Sequence, residues 1–225
     1  RYLHIELSNL RTAIQRSLHH GWSEPATRCV IAILKIIRMT GPYGPYIEIA
    51  NSVLEMSVAQ EERTRLLEML GLVNRLMGRM EDAERLFLEA LDIRRTTGHT
   101  NGEGIVLGNL AYLYMDLGQI QIARSYFEQS VQLCRDTDDI SNSGAALNGL
   151  GAISAKLGQM EEAKKYFHES LTVARSQKSR FAEAVAHSNL GRICVAIDEN
   201  ALALRHFNKA LEMFEEVNAR QSQGG

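Results

Sequence analysis

The sequence predicts an all-α protein built from repeated helical hairpins, and three observations support this fold class. Helices are favoured by composition, because Pro is scarce at 3 of 225 residues and strong helix formers such as Ala, Leu, Glu and Arg are plentiful. Several residue types recur at an interval of 40 along most of the chain. Glycines near the middle of the repeated units are suited to ending one helix before the next begins.

The repeat appears as three columns of residues that keep register over four copies. Each copy has a Leu followed by a small residue, then an Ala, then a Phe. Two helices approach closely only where both carry small side chains, so we expect the small residue to face the Ala, with the Phe beside them. The columns are Leu70-Gly71, Leu110-Ala111, Leu150-Gly151 and Leu190-Gly191; Ala83, Ala123, Ala163 and Ala203; Phe87, Phe127, Phe167 and Phe207.

Two further positions define the ends and contacts of the paired helices. Gly78, Gly118 and Gly158 separate the two helices of the first three units, and Asp198 replaces this glycine in the fourth. An Asx-type turn is predicted at Asp198, because Asp side chains bond to nearby backbone in turns. One aliphatic position is expected to contact the first helix of the following unit: Leu91, Val131, Leu171 and Leu211.

These positions resemble the tetratricopeptide repeat (TPR) motif over roughly residues 61–217. The resemblance implies a right-handed α-solenoid of antiparallel helix pairs, here four of them. The closing Pro of the motif is absent, and the period is 40 rather than 34. Long-period TPR arrays of this kind occur in kinesin light chains, in cell-polarity adaptors and in the sensor regions of bacterial ATPase regulators.

Residues 1–60 lack the repeat columns, and we predict that they form an atypical cap of about three helices. The second helix is expected to follow Ser23 or Thr27, and the third to run from about Tyr46 to Ala59. A flexible tail is predicted at 218–225. The first helix has an apolar face made of Leu7, Leu10, Ile14 and Leu18.

The segment Glu6–Ile14, with the sequence ELSNLRTAI, resembles the start of the TPR sensor domain in NB-ARC-type signal-transduction ATPases. These bacterial regulators carry a nucleotide-binding module, a winged helix and a TPR array, often as transcriptional activators. The resemblance implies a sensor region whose apolar second helix docks against an upstream nucleotide-binding domain. Alternatively, residues 1–40 simply cap the solenoid of a stand-alone adaptor or peptide-pheromone receptor.

Composition argues against several classes of partner. A net charge of −2, without a stripe of Lys and Arg, argues against direct nucleic-acid binding. The most apolar run, residues 29–37, is too short to span a membrane and contains Lys35. Cys29, Cys134 and Cys194 are widely separated, which predicts reduced thiols in a cytoplasmic protein.

No motif in the chain predicts an enzyme, a cofactor or a metal site. The seven His residues form no HExxH motif and no zinc-site spacing with Cys, and the His19-His20 pair is expected at a helix end. Acidic pairs are expected in or just before first helical turns, where carboxylates complement the helix dipole. These pairs are Glu81-Asp82, Asp138-Asp139 and Glu161-Glu162.

By resemblance to TPR proteins, the first helix of every unit lines a concave face that binds a protein or peptide. Asn109, Asn148 and Asn189 are expected to form a ladder along an extended peptide, because an Asn side chain both donates and accepts. The alternative is that Asn is merely tolerated on a hydrated surface. The predicted partner-binding residues are Arg65, Glu68, Leu72, Arg75, Asn109, Tyr112, Met115, Asn148, Ala152, Asn189 and Arg192.

The third unit is predicted to offer the smoothest part of this face. Its small residues are expected to admit a bulky apolar side chain or a partner helix, and they are Ala145, Gly149, Ala152 and Ala155. The carboxylate clamp of cochaperone TPR domains is not predicted, because its Lys, Asn and Arg positions carry other residues here.

Overall fold

The computed structural model describes residues 2–37, 41, 43–98, 102–137 and 143–223, which form eleven helices and no strand. The all-α prediction is confirmed. The chain divides into two compact units, Arg1–Asn109 and Leu110–Gly225. The helices are α1 (Tyr2–His19), α2 (Ser23–Ile37), α3 (Gly44–Leu54), α4 (Gln60–Leu76), α5 (Met80–Thr97), α6 (Glu103–Asp116), α7 (Ile120–Asp136), α8 (Ser143–Lys156), α9 (Met160–Ser176), α10 (Arg180–Ala196) and α11 (Asn200–Gln223).

The first three helices follow the sequence prediction with one change of boundaries. α3 occupies Gly44–Leu54, rather than running from Tyr46 to Ala59. It starts earlier because Pro45 is tolerated in a first turn, where its missing N–H is not needed. It ends at Leu54, and Ala59 is extended, with φ −58° and ψ 144°, directly before α4.

The apolar helix α2 packs inside the unit Arg1–Asn109, against α1, α3 and α4. Its inward face is fully buried and consists of Ala26, Val30, Ile33, Leu34 and Ile37. The hydrophobicity that the sequence analysis interprets as a docking surface is therefore used largely within this unit. Within the described residues, no helix combines the length and hydrophobicity needed to cross a bilayer.

The repeats form the pairs α4 and α5, α6 and α7, α8 and α9, and α10 and α11. Glu81-Asp82 and Glu161-Glu162 lie in first turns as predicted, whereas Asp138-Asp139 lies outside the described residues. α11 extends to Gln223, so residues 218–223 are helical where the sequence analysis predicts a flexible tail.

The turn at Asp198 copies the glycine turns of the other units. Gly158 has φ +78° and Asp198 has φ +61°, both in the left-handed region that glycine adopts without steric cost. The amides of Asp198 and Glu199 bond to Val195 O and Cys194 O, which is the backbone pattern around Gly158. The predicted Asx-type turn is therefore replaced by a glycine-type turn with a non-glycine residue.

We predict that Asp198→Gly stabilises the protein by about 0.5–1 kcal/mol, because the left-handed strain of a Cβ-bearing residue is relieved. Chemical denaturation of both proteins measures the difference. Gly118→Asp provides the reciprocal control, because Gly118 has φ +73° and open space around a Cβ. It should lose a similar amount, and equal stability of either variant with the parent chain would contradict the strain.

The Phe column, and not the Ala column, makes the closest approach to the small residues. A Cβ built on Gly71 would lie 2.5 Å from Cε1 of Phe87. The same clash arises at Gly151 with Phe167 and at Gly191 with Phe207. The prediction that the Phe lies beside a Gly–Ala contact is corrected: the ring itself occupies the space that glycine leaves.

The second unit departs from this arrangement, because Ala111 stands in the glycine column. The ring of Phe127 instead packs against Gly149 on the following helix, where a Cβ would lie 2.2 Å from its Cζ. Phe127 and Ala111 are both fully buried and share one cluster with Leu147 and Leu150. Gly149 is therefore required by the ring of the preceding unit.

Candidate partner-binding site

The predicted groove residues of α4 lie in the unit Arg1–Asn109, and two of them are engaged in ion pairs. Glu68 accepts hydrogen bonds from Nη2 and Nε of Arg94 at 2.7 and 2.9 Å. Burial raises the pKa of Glu68, and Arg94 opposes that rise. Arg65 pairs with Glu61 at 2.9 Å. Glu68 thus has an internal role, while Leu72 and Arg75 are half-buried on the same helix.

On α6, the predicted residues Asn109, Tyr112 and Met115 follow one another at three-residue intervals and are all half-buried. Tyr112 donates a hydrogen bond from its hydroxyl to Ala145 O at 3.0 Å. Its ring meets Phe127 edge to face, with centroids 4.9 Å apart. Tyr112 therefore joins α6 to the start of α8, which fixes the side chain.

Two of the three predicted Asn residues contact each other in the unit Leu110–Gly225. Asn189 on α10 donates from Nδ2 to Oδ1 of Asn148 on α8 at 3.3 Å. This bond uses one donor and one acceptor, so the pair retains an amide N–H and a carbonyl oxygen for a ligand. Asn109 and Asn189 are two 40-residue intervals apart, and Asn148 is one position short of that register. This offset does not prevent the contact.

A cleft of about 460 Å³ opens between α8, α9 and α10 in the same unit. It contains three predicted residues, Ala152, Asn189 and Arg192, together with the predicted small residue Ala155. Its other lining residues, which the sequence analysis did not select, are Lys156, Met160, Phe167, Ile193 and Ala196. An apolar cavity with a few polar groups at its edge is the usual form of a ligand site.

Four of the five residues that sequence analysis missed fall into two groups, and the fifth, Ile193, directly follows the predicted Arg192 on α10. Lys156 and Ala196 lie four residues after Ala152 and Arg192 and therefore share their helix faces, so extending the groove by one turn would have found them. Met160 lies on the second helix of the third unit, as does Phe167, and the TPR resemblance does not place that helix in the groove.

The charge around this cleft is positive, because Lys156 and Arg192 are both exposed on its rim. A smaller cleft of about 240 Å³ lies beside Val131, Leu147 and Val173. Arg135 and Glu169, which line it, form an ion pair at 3.3 Å, so its charges are balanced internally. Of these two clefts, the larger is the one that combines predicted residues with cations at its edge.

A pair of His residues lies between α10 and α11, with His187 buried and His206 half-buried. Nδ1 of His187 is 2.9 Å from Nδ1 of His206, so at least one of the two rings is neutral. His187 is 2% exposed, and its Nε2 has no hydrogen-bond partner among the described residues. Burial, followed by the charge of His206, lowers the pKa of His187 to about 4. Within the described ranges, no three His, Cys, Asp or Glu residues converge on a possible metal position.

Residues 62–136 and 142–216 match the family model of the tetratricopeptide repeat. The chain belongs to the TPR family. The two matched segments carry the Ala and Phe columns and the helices that line the cleft. TPR proteins are generally non-catalytic scaffolds that bind other proteins.

Comparison with solved structures supports a TPR-like solenoid fold. BtubC (BKLC) from P. vanneervenii matches with a TM-score of 0.79 and 15% identity, covering 97% of this chain and 93% of its own. Aspartyl phosphate phosphatase F from Bacillus subtilis matches with a TM-score of 0.76 and 14% identity, covering 93% of this chain and 55% of its own.

A MamA fragment from Desulfovibrio magneticus RS-1 matches with a TM-score of 0.54 and 16% identity, covering 94% of this chain and 96% of its own. Identities this low show the fold alone. No curated protein sequence matches the chain. These matches show no link to NB-ARC regulators.

Proposed function

We propose that this TPR chain is a non-catalytic module that binds a segment of another protein in the cleft between α8, α9 and α10. The main observation in support of this proposal is that the cleft brings Ala152, Asn189 and Arg192 together around about 460 Å³ of space. An apolar cleft with an amide and two cations at its edge is suited to holding a peptide side chain and its neighbours.

The chemistry of the cleft favours an apolar side chain flanked by an acidic one. Met160, Phe167 and Ile193 supply the apolar lining, and burying one Leu- or Phe-sized side chain there contributes about 1.5–3 kcal/mol. Lys156 and Arg192 can form charge-assisted hydrogen bonds to a carboxylate. The Asn148–Asn189 pair can bond the peptide backbone without selecting side chains.

The binding test uses fluorescent peptides that carry a central Leu flanked by Asp and Glu, and matched peptides in which Lys replaces the acids. Fluorescence polarisation should show tighter binding of the acidic peptides. Arg192→Glu is expected to weaken that binding by about tenfold or more, because it replaces attraction with repulsion. Lys165→Glu is the matched control, since Lys165 is exposed on α9 and does not line the cleft.

Three further variants separate the cleft from the predicted Asn ladder. Ala152→Phe should abolish binding by filling the cavity, whereas Asn189→Ala and Asn109→Ala test the ladder at its two ends. Circular dichroism verifies that each variant stays helical. Equal affinity of both peptide sets, or full binding by the Ala152→Phe variant, would overturn this assignment.

We further propose that the chain serves as the sensor region of a larger cytoplasmic signal-transduction ATPase or transcriptional regulator. Support comes from the resemblance of Glu6–Ile14 to the start of such regions. The alternative is a stand-alone adaptor or peptide-pheromone receptor. The buried face of α2 is a specific observation in favour of this alternative. Sequencing the complete reading frame decides between them, because a regulator of this class requires a P-loop motif upstream.

A further inference from the structure

The last helix, α11, carries an exposed apolar face at a position that is buried in the preceding units. Val131 is 5% exposed and packs in the cluster of Leu147 and Leu150 on α8. Leu171 is 4% exposed and packs with residues of α10. Leu211 occupies the same column but is 59% exposed. The contact that the sequence analysis predicts for this column is thus made at Val131 and Leu171 but not, among the described residues, at Leu211.

A second exposed apolar residue, Leu204, lies on this face, and the other units do not carry an apolar residue at its position. In the second and third units this position holds Arg124 and Lys164, which form ion pairs with the next unit: Arg124 with Glu162 at 3.1 Å and Lys164 with Glu199 at 3.2 Å. In the first unit it holds Glu84. In α11 the position holds Leu204, which is 61% exposed. An ionic contact between units is therefore replaced by a large apolar group that is suited to an apolar partner.

The surroundings of these two leucines indicate what the partner is. Leu204 and Leu211 are seven residues apart and so lie on one side of the helix, two turns from each other. Asn208 lies between them on the same side, and the positions that follow these three residues carry Arg205, Lys209 and Glu212, all exposed. Arg205 therefore accompanies the first leucine, and Glu212 accompanies the second.

We infer that α11 pairs with α11 of a second copy of this chain, in antiparallel orientation about a two-fold axis near Asn208. A two-fold contact is self-complementary. It places Leu204 near the partner's Leu211 and Arg205 near the partner's Glu212, and repeats both contacts on the other side of the axis. A parallel arrangement would bring like charges together at Arg205, Lys209 and Glu212, whereas the antiparallel one does so only at Lys209, near the axis. The order of Arg205 and Glu212 therefore selects the antiparallel arrangement.

The dimer is expected to be weak and dependent on concentration. One helix from each chain provides less area than the roughly 1,200–2,000 Å² of a stable interface. The proposal concerns a surface separate from the cleft, so it stands or fails independently of peptide binding.

Sedimentation equilibrium of the 225-residue chain over a concentration series tests the dimer. Leu211→Glu and Leu204→Glu should each raise the dissociation constant by about tenfold or more. Leu76→Glu is the matched control, because Leu76 is also an exposed leucine, at 49%, on a different helix. A wild-type chain that stays monomeric throughout, or a dimer that Leu211→Glu leaves intact, overturns the inference.

A charge swap tests the orientation without altering the apolar face. Arg205→Glu alone and Glu212→Arg alone should each weaken the dimer, because like charges then meet across the axis. The double variant should restore the wild-type dissociation constant. Failure of the double variant to recover, while circular dichroism shows intact helices, contradicts the antiparallel pairing.

Discussion

Gly149→Ala is expected to lower the free energy of unfolding by about 2–3 kcal/mol, measured by urea denaturation. The added methyl group would lie 2.2 Å from Cζ of Phe127, and the ring is fully buried. Either the ring or helix α8 must shift, which disturbs the cluster that α7 and α8 share. Ordinary helix propensity predicts the opposite sign, since Ala is favoured over Gly by up to about 1 kcal/mol.

Gly108→Ala supplies the matched control, because Gly108 is also within a helix and a Cβ there meets nothing within 4 Å. That variant should be as stable as the parent chain or more stable. Adding Ala111→Gly to Gly149→Ala should recover about 1–2 kcal/mol through coupling, because the Phe127 ring can then occupy the space used in the other units. A Gly149→Ala variant as stable as Gly108→Ala would refute the steric account.

Acidification is expected to destabilise the protein through His187, whose pKa falls from 6.5 in the unfolded chain to about 4 in the fold. The unfolded state therefore binds the proton first, so stability is full above pH 6.5 and declines as the pH falls towards 4. The loss is about 2–3 kcal/mol by the lower end of this window. Burial is the main cause, and the groups that repel an added proton are His206 and Lys209 on α11, and His168 and Arg175 on α9.

His187→Leu should remove most of this dependence, because the preceding units place a buried leucine at the same position: Leu67, Leu107 and Leu147. Thermal denaturation at pH 7 and at pH 4.5 provides the comparison. At pH 7 the variant should equal or exceed the parent chain in stability. His19→Gln, at the end of α1, should leave the pH dependence unchanged, and a His187→Leu curve parallel to the parent curve would exclude the His pair as its source.

The fold was predictable because the same packing arrangement recurs in four repeats. Ala83 and Phe87 each recur as the same residue type at the same interval in the other units. This recurrence alone indicates that these positions are buried contacts. The structure departs from the prediction where one copy differs from the rest. Ala111 redirects Phe127 to Gly149, and this exchange lies between columns 38 residues apart, which no single-column comparison detects.

The candidate site was predicted only in part, for a related reason. Spacing along the first helix of each unit identified Ala152, Asn189 and Arg192, which the cleft brings together. It gave no information about Phe167, because that side chain reaches the cleft from a second helix and requires the packing of α9 to be known. The same limit applies to Glu68, whose partner Arg94 lies 26 residues away.

The displaced ring of Phe127 has a consequence for how the repeats unfold. In a repeat protein, cooperativity depends on the ratio between the stability of each unit and the coupling to its neighbours. Phe87 and Phe167 pack against a glycine of their own hairpin, whereas Phe127 packs against a glycine of the following hairpin. The second unit is therefore less stable by itself and more strongly coupled to the third unit. α7 and α8 should therefore lose hydrogen-exchange protection together, and a ligand that holds α8 in place should also protect α7.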